Sequence, residues 1–211
     1  MVSDGTKQAE VPATTTSRRA ILDRLQGQII DAPDLPEVDA NLLTTFEDPL
    51  AHFCQMVEAV GGQPHRVERP EEATEILEAI PVFSQATRVA SLVPDITPGN
   101  VDVSMIDDPH ALATLDWTIA QGQFAVAENG AIWIDGNTLP QRVMLFIAQY
   151  LAIVVSGSQV VSNMHQAYER VGKPANPFGI FVAGPSKTAD IEQSLVLGAH
   201  GCRALQVFIT P

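Results

Sequence analysis

The chain has 211 residues, of which 45% are apolar, and its 25 acidic against 12 basic side chains give a net charge of −13. This length suits one sizeable domain with a core, and the acidic balance argues against nucleic acid as a partner because phosphates would be repelled. The two cysteines, Cys54 and Cys202, are too few for a four-cysteine iron–sulfur cluster or a cysteine-only zinc site.

The ends and the apolar runs predict a cytoplasmic protein without a membrane span. Met1 is not followed by a basic and then apolar leader. The longest apolar run, Val143 to Val155, is too short to cross a bilayer. The five histidines show no H-x-x-x-H spacing, so we expect no metal site in this chain.

The first forty residues look like an appendage to a main domain at 41–211. Residues 1–16 are polar and predict a disordered tail, whereas 17–40 predict a helical extension capped by Ser17. Its apolar face comprises Ile21, Leu22, Leu25 and Ile29. Such a face needs a partner, which is either the main domain or a second copy of the chain.

Start and stop signals define the next elements. Asp48-Pro49 predicts the start of a helix that Gly61-Gly62 ends, and 70–80 predicts a third helix. Residues 89–93 favour a short strand. Asp108-Pro109 repeats the first start signal, which predicts a helix to about Gln121.

The second half of the chain is rich in strands. Two apolar runs, 124–128 and 131–135, flank Asn129-Gly130, which is a strong hairpin signal. Further segments predict helices at 143–149 and 164–171 and strands at 150–155, 178–183 and 204–209. Alternating strands and helices indicate an α/β fold, an open and mostly parallel sheet with helices on both faces.

The stretch AGPSKTADIEQSLVLGAHG, residues 183–201, follows one of these strands. Its turn predicts a helix from Ala189 that carries Ile191, Leu195 and Leu197 and ends at Gly198. A helix start has free backbone N–H groups that attract an anion. Side chains that would add contacts are Ser186, Lys187 and Thr188, with Asp190 and Glu192 in the first helical turn. The plain alternative is that Ser186 or Thr188 only caps the helix.

Glu128 is the main candidate for chemistry. It closes an apolar strand directly before Asn129-Gly130, and the carboxyl ends of strands are where open α/β sheets bind ligands. A carboxylate there suits acid, base or nucleophile work. A solvated glutamate at a hairpin end explains the same residue equally well. His200, near the end of the last predicted helix, is a further candidate, although capping explains it as well.

Two stretches together resemble the lactate-utilisation (LUD) domain family. They are AQGQFAVAENGAIWID and, about fifty residues later, GPSKTADIEQSLVLGAHG before an apolar final strand. The branch they resemble most is lactate utilisation protein C. The resemblance implies a NagB/RpiA/CoA-transferase-like fold.

The resemblance also implies a function and a set of residues. It implies a role in oxidising L-lactate to pyruvate together with iron–sulfur subunits, whose clusters are held by those partners and not by this chain. Possible catalytic residues are Glu128 and Asp190. Expected ligand-binding residues are Asn129, Gly130, Gly184, Pro185, Ser186, Lys187, Thr188, Glu192, His200 and Gly201.

Two other function classes stay open at this point. The Glu128-Asn129-Gly130 turn is similar to the turn in which CoA transferases place a nucleophilic glutamate, which would make the chain a stand-alone acyl-CoA transferase-like enzyme or an enzyme acting on a phosphorylated metabolite. The chain could instead be a binding module without chemistry. With a role in lactate oxidation we also expect a small anionic ligand as a partner. Whether the chain forms a homo-oligomer stays open.

Overall fold

The structure is a computed structural model of the chain. It describes residues 14–27, 37–172, 178–189, 195–198 and 200–211. The chain divides into two compact units, Met1–Ala40 and Asn41–Pro211.

The first unit contains one described helix, α1, at Thr14–Gln26. It begins three residues before the expected cap at Ser17, so the helix takes in the last part of the segment predicted to be a tail. Its apolar side chains Ile21 and Leu25 are 61% and 60% exposed. The rest of the predicted tail, residues 1–13, and the predicted contact Ile29 lie outside the described residues.

The second unit carries the remaining elements. Its described α-helices are α2 (Pro49–Ala59), α3 (Pro70–Ala79), α4 (Pro81–Ser84), α5 (Met144–Ile147) and α6 (Met164–Val171). Its strands are β1 (Gln63–Arg66), β2 (Val89–Ser91), β3 (Trp117–Gln121), β4 (Phe124–Val126), β5 (Ala131–Asp135), β6 (Tyr150–Ser156), β7 (Val160–Val161), β8 (Gly179–Val182), β9 (Lys187–Ala189), β10 (Leu195–Leu197) and β11 (Ala204–Thr210).

A five-stranded sheet with the order β1-β11-β6-β3-β2 forms the centre, and every neighbouring pair in it is parallel. Two of its three inner strands, β6 and β11, have five consecutive buried residues each, because both faces of the sheet are covered. The structure is therefore α/β with a mostly parallel central sheet, as the sequence predicts.

Each face of the central sheet has its own apolar core. On one face, Leu77 of α3 packs with Trp117 and Phe208. On the other face, Phe53 and Val57 of α2 pack with Val207. Helices thus cover both faces. Helix α2 is also the helix against which the motif segments described below pack.

A second sheet, which the sequence reading did not separate from the first, lies on the α2 face. It has the order β7-β4-β5-β8, with β4 antiparallel to β5 and β5 antiparallel to β8. Its inner side chains Ile132 and Ile134 are fully buried in the same core as Phe53. The hairpin predicted around Asn129-Gly130 is therefore confirmed, but it belongs to this smaller sheet.

The helix predicted from Asp108 to Gln121 is wrong beyond its first turn. Asp108 does cap, since its side chain accepts a hydrogen bond from His110 N, but only a short 3₁₀ helix follows, Pro109–Leu112. Trp117 to Ala120 are consecutively buried in β3. An apolar run buried on both sides is typical of a central parallel strand and shows no helical stripe.

The helix predicted from Ala189 is also wrong where the structure describes it. Lys187–Ala189 and Leu195–Leu197 pair as an antiparallel hairpin, β9 with β10. Three consecutive apolar residues fit a strand as well as a helix, so periodicity could not decide between them. The helix N-terminus that was expected to bind an anion is therefore absent from the described part of this segment.

In the described ranges, no helix is long and apolar enough to cross a membrane. The cytoplasmic location stays a prediction.

The N-terminal cap of α2 gives a first test of the fold. Asp48 accepts a hydrogen bond from Ala51 N at 2.9 Å, and Pro49 follows it. We expect Asp48→Ala to lower the free energy of unfolding by about 1 kcal/mol, because a helix N–H loses its acceptor. Asp48→Asn keeps a capping oxygen and should cost much less. Urea unfolding of both variants is the measurement, and equal losses would contradict a capping role.

Candidate functional site

The Glu128-Asn129-Gly130 segment forms the loop between β4 and β5. Asn129 accepts a hydrogen bond from Ala131 N at 3.1 Å through its side chain, which shapes the loop. Gly130 has φ +69 and is buried. A Cβ on Gly130 would lie 2.9 Å from Val57 N, so the loop rests directly on the backbone of α2.

Glu128 lies in this loop and not at the end of a central strand. The strand β4 ends at Val126, and the loop belongs to the second sheet. The carboxylate is exposed and accepts a hydrogen bond from Met164 N at 2.8 Å. Glu128 N in turn donates to Ser162 O at 3.0 Å. Glu128 therefore follows the end of a strand, as expected, but that strand belongs to the smaller second sheet and not to the parallel central sheet.

The hydrogen bond to Met164 gives Glu128 a structural task. Met164 is the first residue of α6, and Asn163 caps the same helix by accepting from Gln166 N at 2.9 Å. A carboxylate at a helix start is favoured by the helix dipole. One oxygen of Glu128 is engaged in this way, and the exposed carboxyl group still faces solvent.

The Gly184-Pro185-Ser186 turn rests on the C-terminal end of α2. Gly184 has φ +71, and a Cβ there would lie 2.5 Å from the carbonyl oxygen of Val60, directly after α2. Pro185 packs near Gly61. Gly184 and Pro185 are both buried, so these two motif residues are needed for close packing.

Hydrogen bonds fix the other side of this turn. Ser186 N donates to Cys202 O at 2.9 Å, and Gly198 N donates to Ser186 O at 3.0 Å. Cys202 is 5% exposed, and burial raises the pKa of its thiol. Because Cys202 precedes β11, the turn lies at the edge where the central strands begin, opposite to the edge where such sheets usually bind ligands.

The polar side chains of the turn lie in two places: the Lys187 ammonium lies beside Gly61 at the end of α2, and the Ser186 side chain lies beside Gly201. Gly201 lies against Ser186, since a Cβ on Gly201 would be 3.0 Å from Ser186 Cβ. Lys187 and His200 are both exposed, and the Ser186 hydroxyl, the Lys187 ammonium and the His200 ring form no hydrogen bond or ion pair with any described residue. A hydroxyl with an ammonium group can hold a small anion without a helix N-terminus.

Helix α2 brings the two motif segments together. The Gly130 loop contacts it at Met56 and Val57, and the Gly184 turn contacts it at Val60. These contacts are about one helical turn apart, roughly 5 Å along the helix axis. That Glu128 and Ser186 face one common pocket stays a prediction, which this shared support favours.

Some predicted site residues cannot be placed. Asp190 and Glu192 lie outside the described residues, as does Ala199. For Thr188 the backbone is described, in β9 paired with Val196. Within the described ranges no group of three or more metal-ligating side chains comes together, and the lack of a metal site in the whole chain stays a prediction.

Comparison with known proteins settles the family. Residues 90–210 match the LUD domain, which is more than half of the chain. The chain belongs to the LUD domain family. Both motif segments, the Glu128 loop and the Gly184 turn, lie inside the matched region.

Curated relatives share this similarity at modest identity. Lactate utilization protein C of Anoxybacillus flavithermus is 28% identical over 158 residues, 74% of this chain and 67% of that protein. The protein of the same name from Bacillus pumilus is 27% identical over 121 residues, 54% of this chain and 50% of its own length. That from Geobacillus thermodenitrificans is 34% identical over 99 residues, 44% and 41%. In two of these three relatives the chain matches half of the length or less.

A solved structure supports the fold. The crystal structure of a DUF162 family protein from Deinococcus radiodurans aligns with a TM-score of 0.53 and 19% identity, covering 77% of this chain and 96% of that one. At this identity the likeness concerns the fold alone.

Two glycine substitutions test the packing of the turn on α2. We expect Gly184→Ala to lower the free energy of unfolding by about 3 kcal/mol or more, because its Cβ would clash with Val60 O and its backbone would have to keep a left-handed conformation. Gly61→Ala is the matched control. Its φ is +88 but its Cβ would meet only atoms at 3.6 Å, so it should cost about 1–2 kcal/mol. Equal losses in urea unfolding would show that the close approach is unimportant.

A pair of variants tests whether Glu128 caps α6. Glu128→Ala removes the acceptor of Met164 N, and we expect it to lower the free energy of unfolding by up to about 1 kcal/mol. Glu128→Gln keeps an oxygen that can accept the same N–H and should be nearly neutral. Amide hydrogen exchange at Met164 should be faster in the alanine variant alone. Unchanged exchange in both variants would rule out the cap.

Proposed function

We propose that the chain is a subunit of an iron–sulfur complex that oxidises L-lactate to pyruvate, and that it contributes a small-anion site at the Gly184 turn. The names of its relatives support a role in lactate utilisation. The observation that carries the site is that the Ser186 hydroxyl and the Lys187 ammonium, on consecutive residues of the turn, have no partner among described residues. The iron–sulfur clusters would be held by the partner subunits.

The geometry gives each part of the turn a distinct role in this proposal. Gly184 and Pro185 anchor the turn on α2, so that Ser186 and Lys187 are held at a fixed position. His200 precedes Gly201, which lies against Ser186, and its exposed ring adds a further hydrogen-bonding group. Lactate and pyruvate are monocarboxylates, and a hydroxyl with an ammonium supplies the donors that one carboxylate accepts.

An acyl-CoA transferase-like enzyme is the second candidate, because the Glu128 carboxyl group is exposed in an Asn-Gly hairpin loop. In that reaction a glutamate oxygen attacks the thioester carbonyl, and the thiolate of CoA leaves as the acyl–glutamate anhydride forms. The hydrogen bond from Met164 N weighs against this candidate, since it gives the glutamate a structural role that needs no chemistry.

Reconstitution tests the first proposal. Lactate-dependent dye reduction by the reconstituted iron–sulfur subunits is measured with and without this chain, and we expect the rate to require it. Lys187→Gln should raise the KM for lactate by roughly 10-fold or more, since a charge-assisted hydrogen bond is lost. Arg69→Gln removes an equal charge at an exposed site paired with Glu72 and should leave KM unchanged.

The outcomes separate the two candidates. A dye-reduction rate that does not depend on this chain would contradict the lactate role. Glu128→Gln is then assayed with acetyl-CoA and a carboxylate acceptor. Loss of transfer in this variant would favour the transferase, because the amide cannot act as the nucleophile while its oxygen preserves the cap of α6.

A further inference from the structure

A cavity of about 390 Å³ opens at the edge where the central strands end. It is lined by Arg66 at the end of β1, by Gly157 after β6, by Thr210 at the end of β11, and by Leu50 of α2. We call it the carboxyl-edge cavity. The Gly184 turn lies at the opposite edge of the sheet, beside Cys202, so the two sites are distinct.

The topology explains why a cavity forms here. After β1 the chain passes to α3, whose Leu77 packs on one face of the sheet. After β6 it passes to β7, in the second sheet on the other face. Strand β11 lies between β1 and β6, and the connections that follow these two strands therefore run to opposite faces of the sheet. In open α/β sheets, such a divergence leaves the crevice in which small ligands bind, and this volume is within the range of ligand pockets.

Arg66 supplies a positive charge to this cavity. The side chain is exposed and makes no hydrogen bond or ion pair with any residue that the structure describes. Burial raises the pKa of the Cys54 thiol on α2, and the positive charge of Arg66 opposes that rise. The guanidinium is therefore close enough to α2 to act on groups there.

The other polar groups restrict what the cavity can take. Glu68 also lines it and has no partner for its carboxylate among the described residues, and the Thr210 hydroxyl adds hydrogen-bonding capacity. The Ser158 hydroxyl is already hydrogen-bonded to the Ser156 hydroxyl at 2.7 Å. A guanidinium matches a carboxylate in a two-point hydrogen bond. The negative charge of Glu68 opposes a second negative charge on the ligand, which favours a monoanion over a dianion.

We propose that the carboxyl-edge cavity binds a small monocarboxylate through Arg66. Glu68 accepts a hydrogen bond from a hydroxyl group on the same ligand. This site needs neither the Gly184 turn nor a lactate-oxidising complex, so its test is independent of the function proposed above.

Titration of the full chain, followed by ¹H–¹⁵N NMR, tests the proposal. The probes are sodium L-lactate, sodium pyruvate and sodium phosphate, added separately at constant ionic strength. We expect saturable shifts of the amides of Arg66, Ser158 and Thr210 with at least one carboxylate, and weaker binding of phosphate. Shifts with phosphate alone, or no saturable shift at these amides with any probe, would overturn the assignment.

Two arginine variants identify the anchor. Arg66→Gln should weaken carboxylate binding by roughly 10- to 100-fold, because a charge-assisted two-point hydrogen bond is lost. Arg69→Gln removes the same charge three residues away, from a side chain that pairs with Glu72 and does not line the cavity. It should retain the affinity of the unchanged protein. Equal weakening by both variants would mean that net charge alone attracts the anion, and the site would be rejected.

Discussion

The close approach of two glycine turns to one helix is the constraint on which the arrangement of the family motifs depends. Helix α2 buries Phe53 and Val57 against the central sheet, so its position is set by the core. Its outer backbone then receives Gly130 and Gly184, at distances that leave no room for a Cβ on either. Since both glycines also have positive φ, each position combines a steric and a conformational requirement. The motif glycines therefore allow two chain segments that are distant in sequence to pack against the same helix, α2.

This arrangement changes the meaning of the motif residues. Read as sequence, Glu128 and the Gly184 turn suggest chemistry at strand ends and an anion at a helix start. In the structure, the loop of Glu128 belongs to a second sheet, and the described part of the segment after Ser186 is a β-hairpin. In the function that we propose, ligand binding therefore rests on side-chain chemistry, supplied by Ser186, Lys187 and His200. Such a site depends on charge more than on the backbone, so its affinity should fall with ionic strength.

The sequence predicted those elements whose boundaries carry a local signal. Asp48-Pro49 and Gly61-Gly62 bracket α2, and Asn129-Gly130 marks the hairpin, because caps and turns are determined by a few adjacent residues. β3 was read as a helix, since a fully buried strand has no alternation to reveal it. β1, with the sequence Gln-Pro-His-Arg, was missed because a short polar edge strand that tolerates proline has almost no apolar pattern.

Because β1 has no clear sequence signal, the carboxyl-edge cavity beside it could not be predicted from the sequence either. Arg66 has no motif around it, and it acquires a possible role only because β1 lies beside β11 and ends at the same edge. That adjacency joins residues more than 140 positions apart in the chain, and no local pattern encodes it. The Gly184 turn is the opposite case, because it has a long and recognisable local motif. That motif still does not predict that the turn lies at the edge of the sheet where the strands begin. Local chemistry is thus readable from sequence, whereas the edge of the sheet at which it acts is decided by strand order.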